Sequence, residues 1–393
     1  MKYTFLILSV FICCQCNLNN KQIDKIKNDK IISLNIDNVK TKFLNNASLL
    51  VDSVQYIQLE SNIDAIIGDI SKIKWIDDKL YIHDKISNAL YIFSDKGEYL
   101  FCLDNRGKGP GQFINIGTFS VDKKDKSIHL YDDHSFKITK YDSIGNLVSE
   151  KMVEYLIEDF IVTQEVYNIS TSLPCRNKIK NGSSMNRLLS IQENKINRTA
   201  LKSTYTSALR KFQESSNRFS CNNNSISLLD EYSSSILKID TSGYIINKNF
   251  IDFGKYTVKN IYDMTEKEME IYLKSDDNNN SAKLYRINET SSWWLMEYSY
   301  QTIMHLSLYS KTAQKSINLR GYWLNDKDNF PLPFPITVQG DYLISKMDAF
   351  TFKTLMEDTE IDRPQHLKDL NEKLNSTDNP ILFKIKLKDS IDF

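Results

Sequence analysis

Neither sign of charge predominates in this 393-residue chain: Lys plus Arg and Asp plus Glu each total 50. A chain without net charge lacks the phosphate-neutralising surplus on which nucleic-acid binders depend, so none is expected as a partner. Catalytic signatures are missing too. There is no G-x-S-x-G, no H-E-x-x-H and no local cysteine–histidine signature, and only five histidines occur. Of six cysteines, Cys13, Cys14 and Cys16 crowd the N-terminus, and Cys102, Cys175 and Cys221 stand far apart. That distribution is neither a disulfide framework nor zinc-ligand spacing; buried thiols in strands are the plain reading, with one bridge left open. The apolar run at residues 3–12 is too short to span a bilayer.

Aromatic residues, by contrast, are plentiful, with 21 Tyr and 19 Phe, as sheets require. Residues 80–103, LYIHDKISNALYIFSDKGEYLFCL, read as three short strands at 80–83, 89–93 and 99–103, punctuated by turn residues. This meander recurs. An acidic residue ending a strand is followed thirteen positions later by a turn glycine: Asp84 with Gly97, Asp132 with Gly145, Asp230 with Gly243, and Glu297 with Ser310 in the glycine position. Asp95, Asp142 and Asp240 are placed to cap the turns, and glycine supplies their positive φ. Units of about 40–50 residues are the size of four-stranded propeller blades. The marker steps place a degenerate blade between 150 and 209, an insertion before 297, and a last strand group at 342–347. The expected fold is all-β: a six-bladed β-propeller with short helical insertions in the later blades.

Residues 1–16 read as an export signal ending in the cysteine cluster. The pattern resembles a bacterial lipoprotein signal, with Cys14 as the lipid anchor and Cys16 as its alternative. Residues 17–46, rich in Asn, Lys and Asp, read as a flexible tether, leaving 47–393 for the propeller. No acidic run follows the cysteines, which favours a periplasm-facing anchor. Alternating strands at 51–59 and 381–387 are expected to pair and close the ring. Thr265 and Glu268 form a capping box, predicting a short helix over 262–273; Pro364 with Leu367, Leu370 and Leu374 predicts another within 356–375.

Four segments carry a family resemblance: YIQLE from Tyr56, IGDISKI from Ile67, RGKGPGQF from Arg106 and NPILF from Asn379. Together they resemble the six-bladed β-propeller family of Bacteroidetes lipoproteins, itself similar to NHL-repeat propellers. The resemblance implies fold and envelope location but no settled activity.

Candidate ligand residues follow from this frame. Arg106 and Lys108 sit in a glycine-rich loop that fails the phosphate-loop pattern and reads as a blade connection, with Phe113 plugged between sheets. His83 and His129 are strand histidines; His129 and His134 are five apart and point to opposite faces. Trp293 and Trp294 face opposite ways, and Trp294 is a candidate for the channel mouth. The expected function is an envelope-anchored, non-catalytic binding or scaffolding propeller with its ligand at the channel mouth. The ligand would be a small molecule, a glycan or an envelope protein. No cofactor and no metal site is expected. The alternative is an NHL-like lyase or hydrolase at the channel, with one divalent metal held by converging histidines.

Overall fold

The computed structural model describes residues 29–36, 44–171, 186–193, 195–202, 218–222, 225–320, 323–358 and 360–389. Its first strands are β1 (Asp29–Ser33) and β2 (Val51–Gln58). Blade I is β3 (Ile70–Ile76), β4 (Lys79–Asp84), β5 (Ala89–Ser94) and β6 (Tyr99–Leu103). Blade II is β7 (Ile116–Val121), β8 (Ile128–Asp132), β9 (Lys137–Tyr141) and β10 (Leu147–Met152). Blade III is β11 (Ile157–Thr163), β12 (Val166–Thr171), β13 (Asn186–Gln192) and β14 (Lys195–Lys202). Blade IV is β15 (Phe219–Asn222), β16 (Ser225–Asp230), β17 (Ser235–Ile239) and β18 (Ile245–Asp252). Blade V is β19 (Lys283–Glu289), β20 (Trp293–Tyr300), β21 (Ile303–Ser310) and β22 (Lys315–Arg320). A small hairpin, β23 (Trp323–Asn325) and β24 (Phe330–Leu332), precedes β25 (Pro335–Gln339), β26 (Tyr342–Met347) and β27 (Ile381–Leu387) of blade VI. Each blade is an antiparallel sheet numbered outward from the channel, and the six together make the expected propeller.

The middle strands are apolar on both faces because each blade is covered by its two neighbours. In β5, five of six residues are buried. The cores therefore lie between blades. Tyr81, Leu90 and Ile92 of blade I pack on Phe119, Ile128 and Leu130 of blade II, and Phe113 from the connection plugs the same seam. The outermost strand β10 is almost wholly exposed.

Closure follows the expected pairing. β2 lies antiparallel to β27, with Val54 opposite Ile385 and Tyr56 opposite Phe383. One sheet thus joins both ends of the chain and removes the open edge. The side chain of Asn379 adds a polar clasp. It accepts from the Ile67 N–H (2.8 Å) and donates to the carbonyls of Glu60 (2.7 Å) and Ala65 (2.5 Å).

The repeat markers have a physical basis at three of four positions. Asp84 ends β4, and its carboxylate accepts from the N–H groups of Gly68, Asp69, Ile86 and Ser87. It thereby ties its own turn to the segment entering the blade. Asp132 does the same with Ile114, His134 and Ser135. Asp230 instead pairs with Arg187 and accepts from the Ser233 hydroxyl. Glu297 breaks the pattern. It lies in mid-strand, opposite Leu306, paired with Arg286 at 3.2 Å, so its spacing to Ser310 is coincidental. Blade V opens at Lys283, ahead of the tryptophan pair. Gly97, Gly145 and Gly243 all have positive φ. The Gly97 φ is +90°, and a Cβ there would stand 2.1 Å from the Gln58 carbonyl oxygen, so the turn packs directly on blade VI. Asp142 and Asp240 cap their turns as expected. In blade I the cap is Ser94, not Asp95: Ser94 Oγ accepts from Lys96 and Glu98. Ser94 is the residue three before the glycine, the position that Asp142 and Asp240 fill.

The stretch read as a tether contains a packed strand. β1 adds a fifth, parallel strand to blade IV, beside β18. Ile32, Leu34 and Ile36 are buried between blades IV and V. Their alternation is a strand signal within a polar stretch. The degenerate third blade lies where its spacing places it, with β11 and β12 joined at Gln164 and Glu165, both with positive φ. Asn181 and Gly182, a pair that favours hairpin turns, lie outside the described residues. Helix α1 (Glu266–Leu273) carries the Thr265–Glu268 capping box, and α2 (Asp276–Asn279) follows. The second insertion holds two helices, the unexpected α3 (Ala349–Met356) and the expected α4 (Gln365–Lys373), with Leu367 and Leu374 buried.

Candidate ligand-binding mouth

Strands alternate in direction, so the turns after the first and third strands of every blade share one face. The turns after second strands and the blade connections share the other. A cavity of about 640 Å³ opens on the first face at the channel mouth. Its walls are the ends of β3, β7, β11, β15 and β25, the inner strands of five blades, together with β26, β27 and Thr241.

Deeper along β3 and β11, outside the cavity's lining, lies a buried ion pair. Lys72 Nζ donates to Asp159 Oδ1 at 2.5 Å and to Thr118 Oγ1 at 2.8 Å. Burial lowers the Lys72 ammonium to about 8, against the opposing pull of Asp159. Asp159 Oδ2 also accepts the N–H groups of Arg218 (2.9 Å) and Phe219 (3.1 Å). One carboxylate thus joins the inner strands of blades I to IV.

The walls carry five lysines: Lys74, Lys123, Lys124, Lys384 and Lys386. Among the described residues none of them makes a salt bridge. Lys384 instead lies over the rings of Trp75 (4.4 Å) and Tyr342 (4.6 Å), and burial lowers its pKa. The three wall carboxylates are already engaged. Asp77 pairs with Lys126. Asp122 accepts the Lys124 and Glu165 N–H groups, and Asp341 accepts that of Ser291. Cys221 also lines the cavity, and burial raises its thiol pKa. Cys102 and Cys221 are thiols, not halves of a disulfide; Cys175 lies outside the described residues.

The candidates read from the sequence do not gather here. Arg106 and Lys108 are exposed in a blade connection, on the opposite face, and Arg106 donates to the Ser87 carbonyl. That loop is closed on itself by Gly107 N–H to Phe113 O at 3.0 Å and Gly109 N–H to Gln112 Oε1 at 2.8 Å. His83 is buried near the same face, with Ser71 Oγ 2.6 Å from Nδ1; burial, with Lys72 nearby, lowers it to about 4. His129 is buried between blades II and III, held by Ser127 and Tyr167 at 2.9 Å each, and burial lowers it to about 3. Trp294 is on the cavity side but only 5% exposed, covered by Lys238 (4.8 Å) and Lys311 (5.6 Å). His305 is stacked on Tyr298 in blade V. Asp132, Asp133 and His134 could present three metal-ligand atoms within 4.8 Å. They lie on the opposite face, and Asp132 is already committed to the turn's N–H groups. Cys14 and Cys16 lie outside the described residues. The wall lysines escaped the sequence reading because a lysine on an alternating strand or in a polar turn reads as solvated, and spacing does not show which strands of different blades meet at the mouth.

The family model for DUF4934, a domain of unknown function, matches residues 29–386. The chain belongs to the DUF4934 family. The match starts at the first residue of β1 and ends inside β27, so the family unit is the closed ring plus its N-terminal strand. Among solved structures, the chain is similar to a "putative exported protein" of Bacteroides fragilis NCTC 9343, at 16% identity and TM-score 0.72, covering 91% of this chain and 100% of that one. It is also similar to a DUF4221-family member from Bacteroides vulgatus ATCC 8482, at 9% identity and TM-score 0.51, covering 87% and 98%. At these identities the likeness is one of fold. No curated protein matches the chain.

Proposed function

We propose that this DUF4934 member is an exported, non-catalytic binding propeller whose ligand occupies the channel mouth. The observation that supports this reading is the cavity itself: about 640 Å³, walled by five blades, and within the size range of small-molecule sites. Its lining includes no histidine, and its carboxylates are engaged by backbone or lysine. A site so furnished suits binding better than acid–base turnover. The histidines that a metal-dependent lyase would need are scattered: His83 in blade I, His129 and His134 in blade II, His305 in blade V and His366 in α4. Export accords with the name of the Bacteroides fragilis relative and with the leader-like residues 1–16. Lipid attachment at Cys14 would leave residues 15–28, or at Cys16 in its place residues 17–28, between anchor and first packed strand, in a periplasm-facing protein.

A thermal-shift screen of small acids, glycans and divalent ions tests the reading, run on the native protein and on Thr337→Trp, which fills the cavity from β25. A ligand that stabilises the native protein but not the variant supports the mouth as the site. Equal stabilisation of both would move the site elsewhere and overturn the proposal.

A further inference from the structure

We infer that the mouth takes a small, multiply charged anion, carboxylate- or phosphate-bearing, held by Lys74, Lys123, Lys124, Lys384 and Lys386. This rests on reading the cavity as the ligand site. The chain as a whole is neutral, with 50 charges of each sign. Its lysines elsewhere are often paired, as with Lys137 and Glu150 or Lys346 and Asp69. Five lysines that make no salt bridge among the described residues converge on one concave wall. They come from β3, the turn after β7, and β27, so no single segment dictates their grouping.

Like charges brought together in a recess repel, and a fold does not need them there. Three carboxylates share the lining with them. Asp77 is taken by Lys126, while Asp122 and Asp341 accept backbone N–H groups and keep their charge, so the five ammonium groups still outnumber the carboxylates. One shell further out, the buried Glu289 is held between Lys238 and Lys311, so that shell adds another surplus positive charge. Field lines of one sign focus in such a recess and raise the local concentration of opposite charge. Lys384 shows that the charge is retained in place rather than left to solvent. Its ammonium sits between two aromatic faces instead of beside a carboxylate. The half-buried Tyr342 also offers an apolar edge to the ligand's carbon frame. A cavity of about 640 Å³ suits a ligand of a few anionic units, not a polymer. A divalent cation would be repelled, and a neutral ligand would have no use for five ammonium groups.

Titration calorimetry with tripolyphosphate and with citrate tests the inference, with neutral maltotriose as control. One or both anions are expected to bind one to one, with affinity falling as salt rises. The two arms distinguish phosphate from carboxylate recognition. Lys74→Gln with Lys386→Gln should weaken binding by about a hundredfold, roughly tenfold for each charge-assisted contact. Lys108→Gln, on the other face, should leave it unchanged. Glutamine keeps most of each aliphatic stem, and the salt dependence of the native protein gives a reading independent of any variant. If neither anion binds while a neutral ligand stabilises the native protein and not Thr337→Trp, the anion inference falls and the mouth site stands. If nothing binds at the mouth, both fall. Anion binding indifferent to the double substitution would also overturn the inference.

Discussion

Asp159→Ala is expected to be among the most damaging single substitutions in the molecule. The Asp159 carboxylate accepts from Lys72 Nζ (2.5 Å), Thr118 Oγ1 (3.3 Å) and the N–H groups of Phe160 (2.9 Å), Arg218 (2.9 Å) and Phe219 (3.1 Å). Removing it leaves a lysine that is 3% exposed without its counter-ion. Breaking a buried pair from one side costs about 3–5 kcal/mol. The Arg218 and Phe219 N–H groups lose their acceptor as well, adding roughly 1–3 kcal/mol each before relaxation. A loss of about 5 kcal/mol is the working figure, comparable with the whole stability of many domains. Lys72→Met should cost less, about 2 kcal/mol, because the carboxylate keeps four donors. Urea unfolding at pH 7 of both single variants and the double variant gives the coupling. The double should fall short of the sum by about 2 kcal/mol. Singles that add within about 0.5 kcal/mol, or an Asp159→Ala cost below about 1 kcal/mol, would refute this account of the buried pair.

Acid sensitivity should come first from the histidines. His83 and His129 are lowered to about 4 and about 3, so both stay neutral in the fold while the unfolded chain takes up protons below about 6.5. Their contribution is complete above pH 6.5 and is lost as pH falls towards those values; by pH 5 each has lost about 2 kcal/mol. His129→Gln should restore about that much of the difference between urea midpoints at pH 7 and pH 5, and an unchanged difference would refute the assignment. Gly97→Ala should cost about 3 kcal/mol by thermal unfolding, since its Cβ meets a backbone oxygen, whereas Gly254→Ala, at φ +62° with open space, should cost about 1 kcal/mol. Leu34→Ala should destabilise by about 3 kcal/mol if β1 belongs to the fold, while the exposed Met152→Ala should stay within about 0.5 kcal/mol.

Local chemistry that recurs was legible in the chain. Asp84, Asp132 and Asp230 each end a second strand, Gly97, Gly145 and Gly243 each turn with positive φ, and Thr265 with Glu268 caps α1. Such devices act within about a dozen residues, so spacing alone exposes them. Closure through β2 and β27 was legible for a different reason: two alternating strands at opposite ends had no other partners, and an open edge is costly. Glu297 shows the limit of spacing as an argument, because an interval of thirteen arises by chance when no turn enforces it. Ile32, Leu34 and Ile36 show the limit of composition, because three buried residues alternate within a segment rich in Asn, Lys and Asp.

The mouth belongs to tertiary structure alone. Lys74 and Lys386 alternate with apolar residues and Lys123 stands in a polar turn, where the sequence shows only solvated lysines. Asp77 and Asp122 stand close to Lys74 and Lys123 in the chain as ready partners, yet the fold assigns them to Lys126 and to backbone N–H groups. That assignment depends on which turns meet across blades, set by the closing of six sheets into a ring. Strand period and turn type are written residue by residue, but the charge balance of the channel is decided only when the last blade meets the first.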